Sequence, residues 1–327
     1  MKRTILAITL ALATAVPAVL AHAQSNAPMK VTLVGGSVGG AWSVAGNAIG
    51  ETLRREYPNT SFTYEPGREQ SNILLTSQGR AQLGIAHAQL AGRALSGGDP
   101  FKQPVTNIRA IAVIDPLAAM QVFARQGSDF QSFEQVRRDR KPIRVAFNQR
   151  GTMMALAGEE LLAANGIPAK DIEAWGGKVH YVAYNEGLEM MKNKQVDLIV
   201  NLLAFPSGQV VSVTREMPVQ MVGLTPEVQG ALQKSLGMMP IEVPAKTYDF
   251  QPAAVPSATA TVVLVANTSM SDEDAGKIVS AMLRNMDFLK QSHVMMRQLD
   301  PAALARVAPL TLHPGAEKAY RAAGALK

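Results

Sequence analysis

The sequence contains no cysteine. Disulfide scaffolds, thiolate metal centres and thiol nucleophiles are excluded with it. Aromatics make up 5% of the 327 residues, and lysines and arginines are scattered rather than grouped. A nucleic-acid footprint needs clustered basic residues with interleaved aromatics, so no nucleic-acid partner is expected. After Leu20 no apolar run is long enough to span a bilayer. Paired carboxylates and clusters with metal-ligand spacing are missing too, so no cofactor and no metal are expected.

What is present is an ordinary globular composition, 47% hydrophobic and 18% charged, enough for a large core or two lobes. The chain opens on Met1-Lys2-Arg3, an apolar run from Ile5 to Leu20 broken by Pro17, and Ala21-His22-Ala23. That is the pattern of a secretory leader over residues 1–23, cleaved after Ala23, and it implies an exported, periplasmic protein beginning at Gln24. Loss of Lys2 and Arg3 leaves 30 of the 32 basic residues against 26 acids, so the net charge falls from +6 to +4. A mild positive field favours the arrival of a small anion.

Strand and helix signals then alternate. Strands are expected at 30–34, 61–64, 81–86, 108–114 and 120–124, with helices at 42–57 and 72–78 between them. After Gln126-Gly127-Ser128 the order begins again: strand 143–147, helix 152–165, strand 179–181, helix 186–192, strand 196–202. The apolar run Ser257–Asn267 suggests a second crossing between halves, and 272–289 an amphipathic helix capped by Ser271. The repeat predicts an α/β fold of two lobes, each a mostly parallel sheet flanked by helices. The lobes are expected at 24–122 plus 263–327 and at 123–262. Ligands of such folds sit where the C-terminal ends of the strands face one another.

The glycine turn after the first strand decides what kind of ligand. Gly35-Gly36-Ser37-Val38-Gly39-Gly40 gives no frame for G-x-G-x-x-G, and Ala41-Trp42 stands where a phosphate loop needs Lys-Ser/Thr. The stretch does fit G-x-S-x-G, the nucleophile elbow of serine hydrolases, with Ser37 as nucleophile. Against that reading, Ser37 follows the first strand rather than a middle one, and no HGG-type loop precedes it. The remaining reading is an anion site on the free N–H groups of a helix N-terminus. Gln149-Arg150-Gly151-Thr152 repeats the device in the second half, so two helix ends could clamp one small anion. Both loops could also be plain tight turns.

These residues resemble the TAXI-type solute receptors of TRAP transporters. That family opens on Gly-Gly-Thr-Tyr-Tyr before its first helix, where this chain has Gly39-Gly40-Ala41-Trp42-Ser43. Its second-lobe Gly-Ser-Gly-Thr corresponds to Gln149-Arg150-Gly151-Thr152. PLTLHPGAEKAY from Pro309 resembles the family's Pro-Leu-His-Pro-Gly-Ala signature, and GRAQLGIAHAQLAGRAL from Gly79 its Gly-x-x-Asp-Leu-Gly-Leu-Val-Gln-Ser-Asp segment. The resemblance implies a type II periplasmic binding protein fold, closure over a carboxylate or amino acid, and delivery to TRAP membrane subunits, with no catalysis. Departures fall where ligand contacts belong: Ala41, Trp42-Ser43 and His87-Ala88-Gln89.

The candidate ligand-binding residues are therefore Gly39, Gly40, Ala41, Trp42, Asn72, His87, Gln89, Arg150, Gly151, Thr152, Pro206 and Ser207. Trp42 could stack on a flat ligand or fill a core. Arg150 could pair bidentately with a carboxylate or sit in solvent. Asn72 and Thr152 could cap helices, and His87 and Gln89 belong to a cleft-lining loop. His313 reads as a brace for the C-terminal turn. Met153-Met154 and Met190-Met191 read as core.

Overall fold

Residues 29–327 are described by the computed structural model; the expected leader lies outside them. The chain starts with β1 (Lys30–Gly35), α1 (Ala41–Glu56), β2 (Ser61–Pro66), α2 (Glu69–Ser77), β3 (Leu83–His87) and α3 (Ala88–Ser96). β1 pairs in parallel with β2 and β3, the arrangement that strands separated by helices require. The long strand β4 (Ile108–Arg125) then carries the chain into the second lobe.

That lobe contains α4 (Phe133–Asp139), β5 (Arg144–Phe147), α5 (Met153–Ala164), α6 (Ala169–Ala174), β6 (Lys178–Tyr181), α7 (Tyr184–Lys192) and β7 (Leu198–Leu203). It continues through α8 (Gly208–Thr214), β8 (Val219–Met221), α9 (Pro226–Leu236) and β9 (Met239–Val243). β5 pairs in parallel with β6 and β7, repeating the first lobe. β10 (Val255–Asn267) leads back, and α10 (Asp272–Arg284), α11 (Met286–Ser292), α12 (Pro301–Leu304) and α13 (Pro314–Ala322) follow.

The two lobes share one curled, mixed sheet of order β2-β1-β3-β10-β4-β7-β5-β6. Its centre is the antiparallel pair β10 and β4, matched from Asn267–Ile108 to Thr259–Ala119. β4 goes on to pair with β7 from Ala119 to Ala124. These central strands are apolar on both faces because helices cover both, and Leu33, Ile85, Val263 and Leu264 are wholly buried. The fold is thus α/β and two-lobed, as the alternating pattern implies.

Several expectations change. The strands expected at 108–114 and 120–124 are one strand. Pro116 does not end it, because register shifts between β10 and β4 accommodate the irregularity there. The helix expected at 72–78 begins at Glu69, so Asn72 lies inside it. The helix expected at 272–289 breaks at Asn285, whose side chain bonds back to the Ala281 carbonyl. His87 and Gln89 form no loop: His87 ends β3 and stands directly before α3.

Candidate functional site

The strand β1 ends in a turn that the sequence makes tight. Gly39 has φ +77°, a left-handed conformation that glycine adopts without strain. The N–H of Gly40 donates to the carbonyl of Ser37 at 3.1 Å, and α1 starts at once. A Cβ on Gly35 would lie 2.5 Å from Oη of Tyr64, so the ring can back the turn only because that residue is glycine. Tyr64 Oη donates to the Gly36 carbonyl at 2.8 Å and fixes it.

The start of α1 carries no side-chain cap and no acid in its first turn. Its free N–H groups and partial positive charge therefore point outward. They face a cavity of about 120 Å³ between the lobes. Gly36, Ser37, Gly40, Ala41, Trp42 and Arg68 line it from the first lobe. Opposite stand Asn148, Thr152, Ala183, Tyr184, Asn201 and Gln209 of the second. Ala183 is the N-cap of α7, which also lacks a side-chain cap, so a second helix end meets the same space. A larger cavity, about 250 Å³, adjoins it behind Trp42 and includes Gly39, Asp115, Ser207 and His293.

The polar side chains of this cleft are mostly amides. Asn201 is 2% exposed; its Oδ1 accepts from the Leu202 N–H at 3.0 Å and from Asn148 Nδ2 at 3.4 Å. Gln209 bonds Asn185. Tyr184 has a buried hydroxyl with no hydrogen-bond partner among the described residues, and burial holds its pKa well above the usual range. Arg68 is exposed at the cavity's edge, with no ion pair or hydrogen bond to its guanidinium among the described residues.

Of the residues expected from sequence, Gly39, Gly40, Ala41, Trp42, Thr152 and Ser207 line these two cavities. Thr152 also caps α5, accepting from the Ala155 N–H at 3.1 Å. Asn72 lies behind the wall. Its Nδ2 donates to the carbonyls of Gly35 at 3.2 Å and Ile85 at 2.9 Å, tying β1 to β3. His87 is 1% exposed, packs at 5.3 Å against the Trp42 ring and shares a hydrogen bond with Glu69. Gln89 braces α3 against β10 by accepting from the Thr261 N–H.

Arg150 is not brought to these cavities. Its guanidinium lies 3.6 Å above the Tyr181 ring and 3.4 Å from Glu159, and with Gly151 it borders a separate groove. Pro206 lines neither cleft cavity. Met154 packs against the core, as expected, and also enters the first cavity's wall.

The second expected anion clamp has a different occupant. Glu69, at the start of α2 and 1% exposed, reaches across to the N-terminus of α5. Its Oε2 accepts from the Met153 N–H at 2.8 Å, and its Oε1 accepts from the His87 N–H at 2.7 Å. The chain itself therefore supplies the anion at the α5 end. A backbone bond from Gln70 N–H to the Gly151 carbonyl at 2.9 Å adds to this bridge.

Sequence reasoning missed Arg68, Glu69, Asn148, Tyr184, Asn201 and Asp115. Asn148 and Asn201 were accessible in principle, because they stand at or near the C-terminal ends of β5 and β7. Ser37, the rival nucleophile, is exposed, and its hydroxyl makes no hydrogen bond to a histidine among the described residues.

A model of the NMT1-like family matches residues 33–324. This chain belongs to the NMT1-like family. Solved structures share its fold at low identity. MatC of Rhodopseudomonas palustris, with bound malate, is 16% identical over 92% of this chain and 100% of its own, with a TM-score of 0.57. PhnD1 of Prochlorococcus marinus (MIT 9301), in complex with methylphosphonate, is 12% identical over 91% and 100%, with a TM-score of 0.56. The periplasmic binding protein BugD is 15% identical over 82% and 87%, with a TM-score of 0.54. This NMT1-like protein thus has the periplasmic binding protein fold, with its cleft cavities between the two lobes of that fold.

Proposed function

We propose that this NMT1-like protein is a periplasmic receptor for a small organic anion, a carboxylate or an amino acid. The observation that carries the proposal is the first cleft cavity. Two helix N-termini without side-chain caps, those of α1 and α7, meet there beside Arg68, whose guanidinium has no partner among the described residues. Such ends bind carboxylate or phosphate through backbone N–H groups. The amides of Asn148, Asn201 and Gln209 add neutral donors and acceptors that select shape rather than charge.

The mechanism is closure. A solute that touches both lobes favours the closed form by its differential affinity, and a membrane partner reads that form. The resemblance to TAXI receptors supports TRAP membrane subunits as the partner. Chemistry on the solute is not part of this reading.

The test is a thermal-shift screen of the chain from Gln24 to Lys327 against monocarboxylates, dicarboxylates, amino acids, phosphonates and neutral sugars. Binding to the folded state alone raises the melting temperature. A shift confined to carboxylate-bearing solutes is expected. Shifts from neutral sugars alone would remove the anion reading.

A further inference from the structure

The two cleft cavities adjoin one another. They share Gly40, Ala41, Trp42, Leu202, Leu203 and Gln209 as common wall. Their ionisable linings differ. The first has Arg68 and Glu69, and both oxygens of Glu69 are already engaged. The second has Asp115 and His293, with no lysine or arginine among the described residues of its wall.

Asp115 is 4% exposed and sits in β4. Its Oδ1 accepts from the Leu117 N–H at 3.0 Å, and its Oδ2 accepts no hydrogen bond among the described residues. Two histidines are the nearby ionisable groups. His293 accepts from the Met295 N–H on Nδ1 at 3.2 Å, and burial, aided by the charge of Arg297, lowers its pKa. His87 lies across Val262 of β10 from Asp115, and its Nδ1 is held by Glu69. Burial, opposed by the Leu117 N–H and by His87, raises the Asp115 pKa to about 7. Buried carboxyls are ordinarily paired with a cation or a full set of donors. This one has an oxygen without a protein donor and a cavity in front of it.

We infer that the second cavity is a subsite for a protonated amine, held by Asp115, while the same solute's carboxylate lies at the start of α1 beside Arg68. The solute is then zwitterionic, an amino acid or a related amino-carboxylate. The inference rests on the receptor reading above and narrows it. Trp42 stands in the wall of both cavities, on the path of a solute that bridges them. Below about pH 7, binding requires Asp115 to release its proton, so solute uptake is coupled to proton release.

The test is titration calorimetry with L-leucine, L-glutamine and L-phenylalanine, each against its 2-hydroxy analogue, in which hydroxyl replaces ammonium. At least one amino acid is expected to bind about tenfold or more tightly than its analogue, the scale of a lost charge-assisted hydrogen bond. Asp115→Asn, which keeps the acceptor for Leu117, should erase that preference by lowering the affinity of the amino acid about tenfold or more. At about pH 6, runs in two buffers of different ionisation enthalpy should show proton release by the parent and none by the variant. Equal affinity for the hydroxy acids, a preference that survives Asp115→Asn, or no binding by any probe would overturn the subsite. If carboxylates fail while 1,4-diaminobutane binds in an Asp115-dependent way, the anion reading falls and the amine subsite stands.

Discussion

Glu69 of the first lobe holds Met153 of the second: carboxylate Oε2 to backbone N–H, 2.8 Å, at a helix N-terminus. The same carboxylate grips His87, so one side chain joins the ends of α5 and β3. Glu69→Gln replaces one acceptor oxygen by an NH2 that must face a donor. The interlobe bond should weaken by about 1.5–3 kcal/mol, the range for hydrogen bonds to charged groups. The expected readouts are a lower melting temperature and a larger radius of gyration in small-angle scattering. An unchanged radius with a lower melting point would assign Glu69 to packing alone.

Arg68 and Arg150 are separated by their surroundings. Both border the outer groove, but only Arg68 also reaches the cleft cavity, with no partner among the described residues, whereas Arg150 is stacked on Tyr181. Arg68→Ala should weaken binding of the carboxylate found by thermal shift by about 1 kcal/mol, the upper range for exposed pairs. Arg150→Ala should leave that affinity unchanged. Calorimetry on the two variants checks both, and the reverse ranking would exchange their roles.

Tyr184 offers a hydroxyl that no described residue uses. Tyr184→Phe keeps the ring packing and removes the donor. The melting temperature without solute should hold or rise, while solute affinity falls by about 1 kcal/mol. A lower melting temperature with unaltered affinity would make the hydroxyl structural.

Asp115 gives a pH signature to stability without any solute. Its folded pKa, near 7, lies above the 3.8 of an unperturbed carboxyl. Between those values the folded chain keeps a proton that the unfolded chain has lost. Stability from this group is full below about pH 4, falls as pH rises, and levels off above about pH 7. The change is on the order of 4 kcal/mol. Asp115→Asn should flatten that part of the melting-temperature profile, and an equal slope in the variant would contradict the assignment.

The fold was legible where period and punctuation agreed. The run Lys30–Val34, the glycine turn and the face of α1 made by Ala45, Ala48, Ile49 and Leu53 form as expected, whereas Val44, expected on that face, is exposed. The strand β4 was not legible as one element, because Pro116 marks a break in any single-strand reading. α3 was hidden because His87 passes from strand to helix with no intervening loop. In the site, the α1 end could be found from glycine spacing and a free helix start. The choice between Arg68 and Arg150 could not. It depends on the Tyr181 ring, 31 residues from Arg150 in sequence, which draws one guanidinium away. Glu69 and Asp115 escaped for a similar reason: their neighbours come from strands and helices distant in the chain.

The continuous strands β4 and β10 make the connection between lobes a leaf spring rather than a door hinge. A loop hinge swings freely and stores little. Here any swing must flex two hydrogen-bonded strands of 18 and 13 residues, whose mutual ladder spans the join. The restoring force grows with angle, which sets a narrow range of travel. Neither lobe can be cut away as a separate piece, since each cut would strip a strand from the middle of the other's sheet and leave a raw edge.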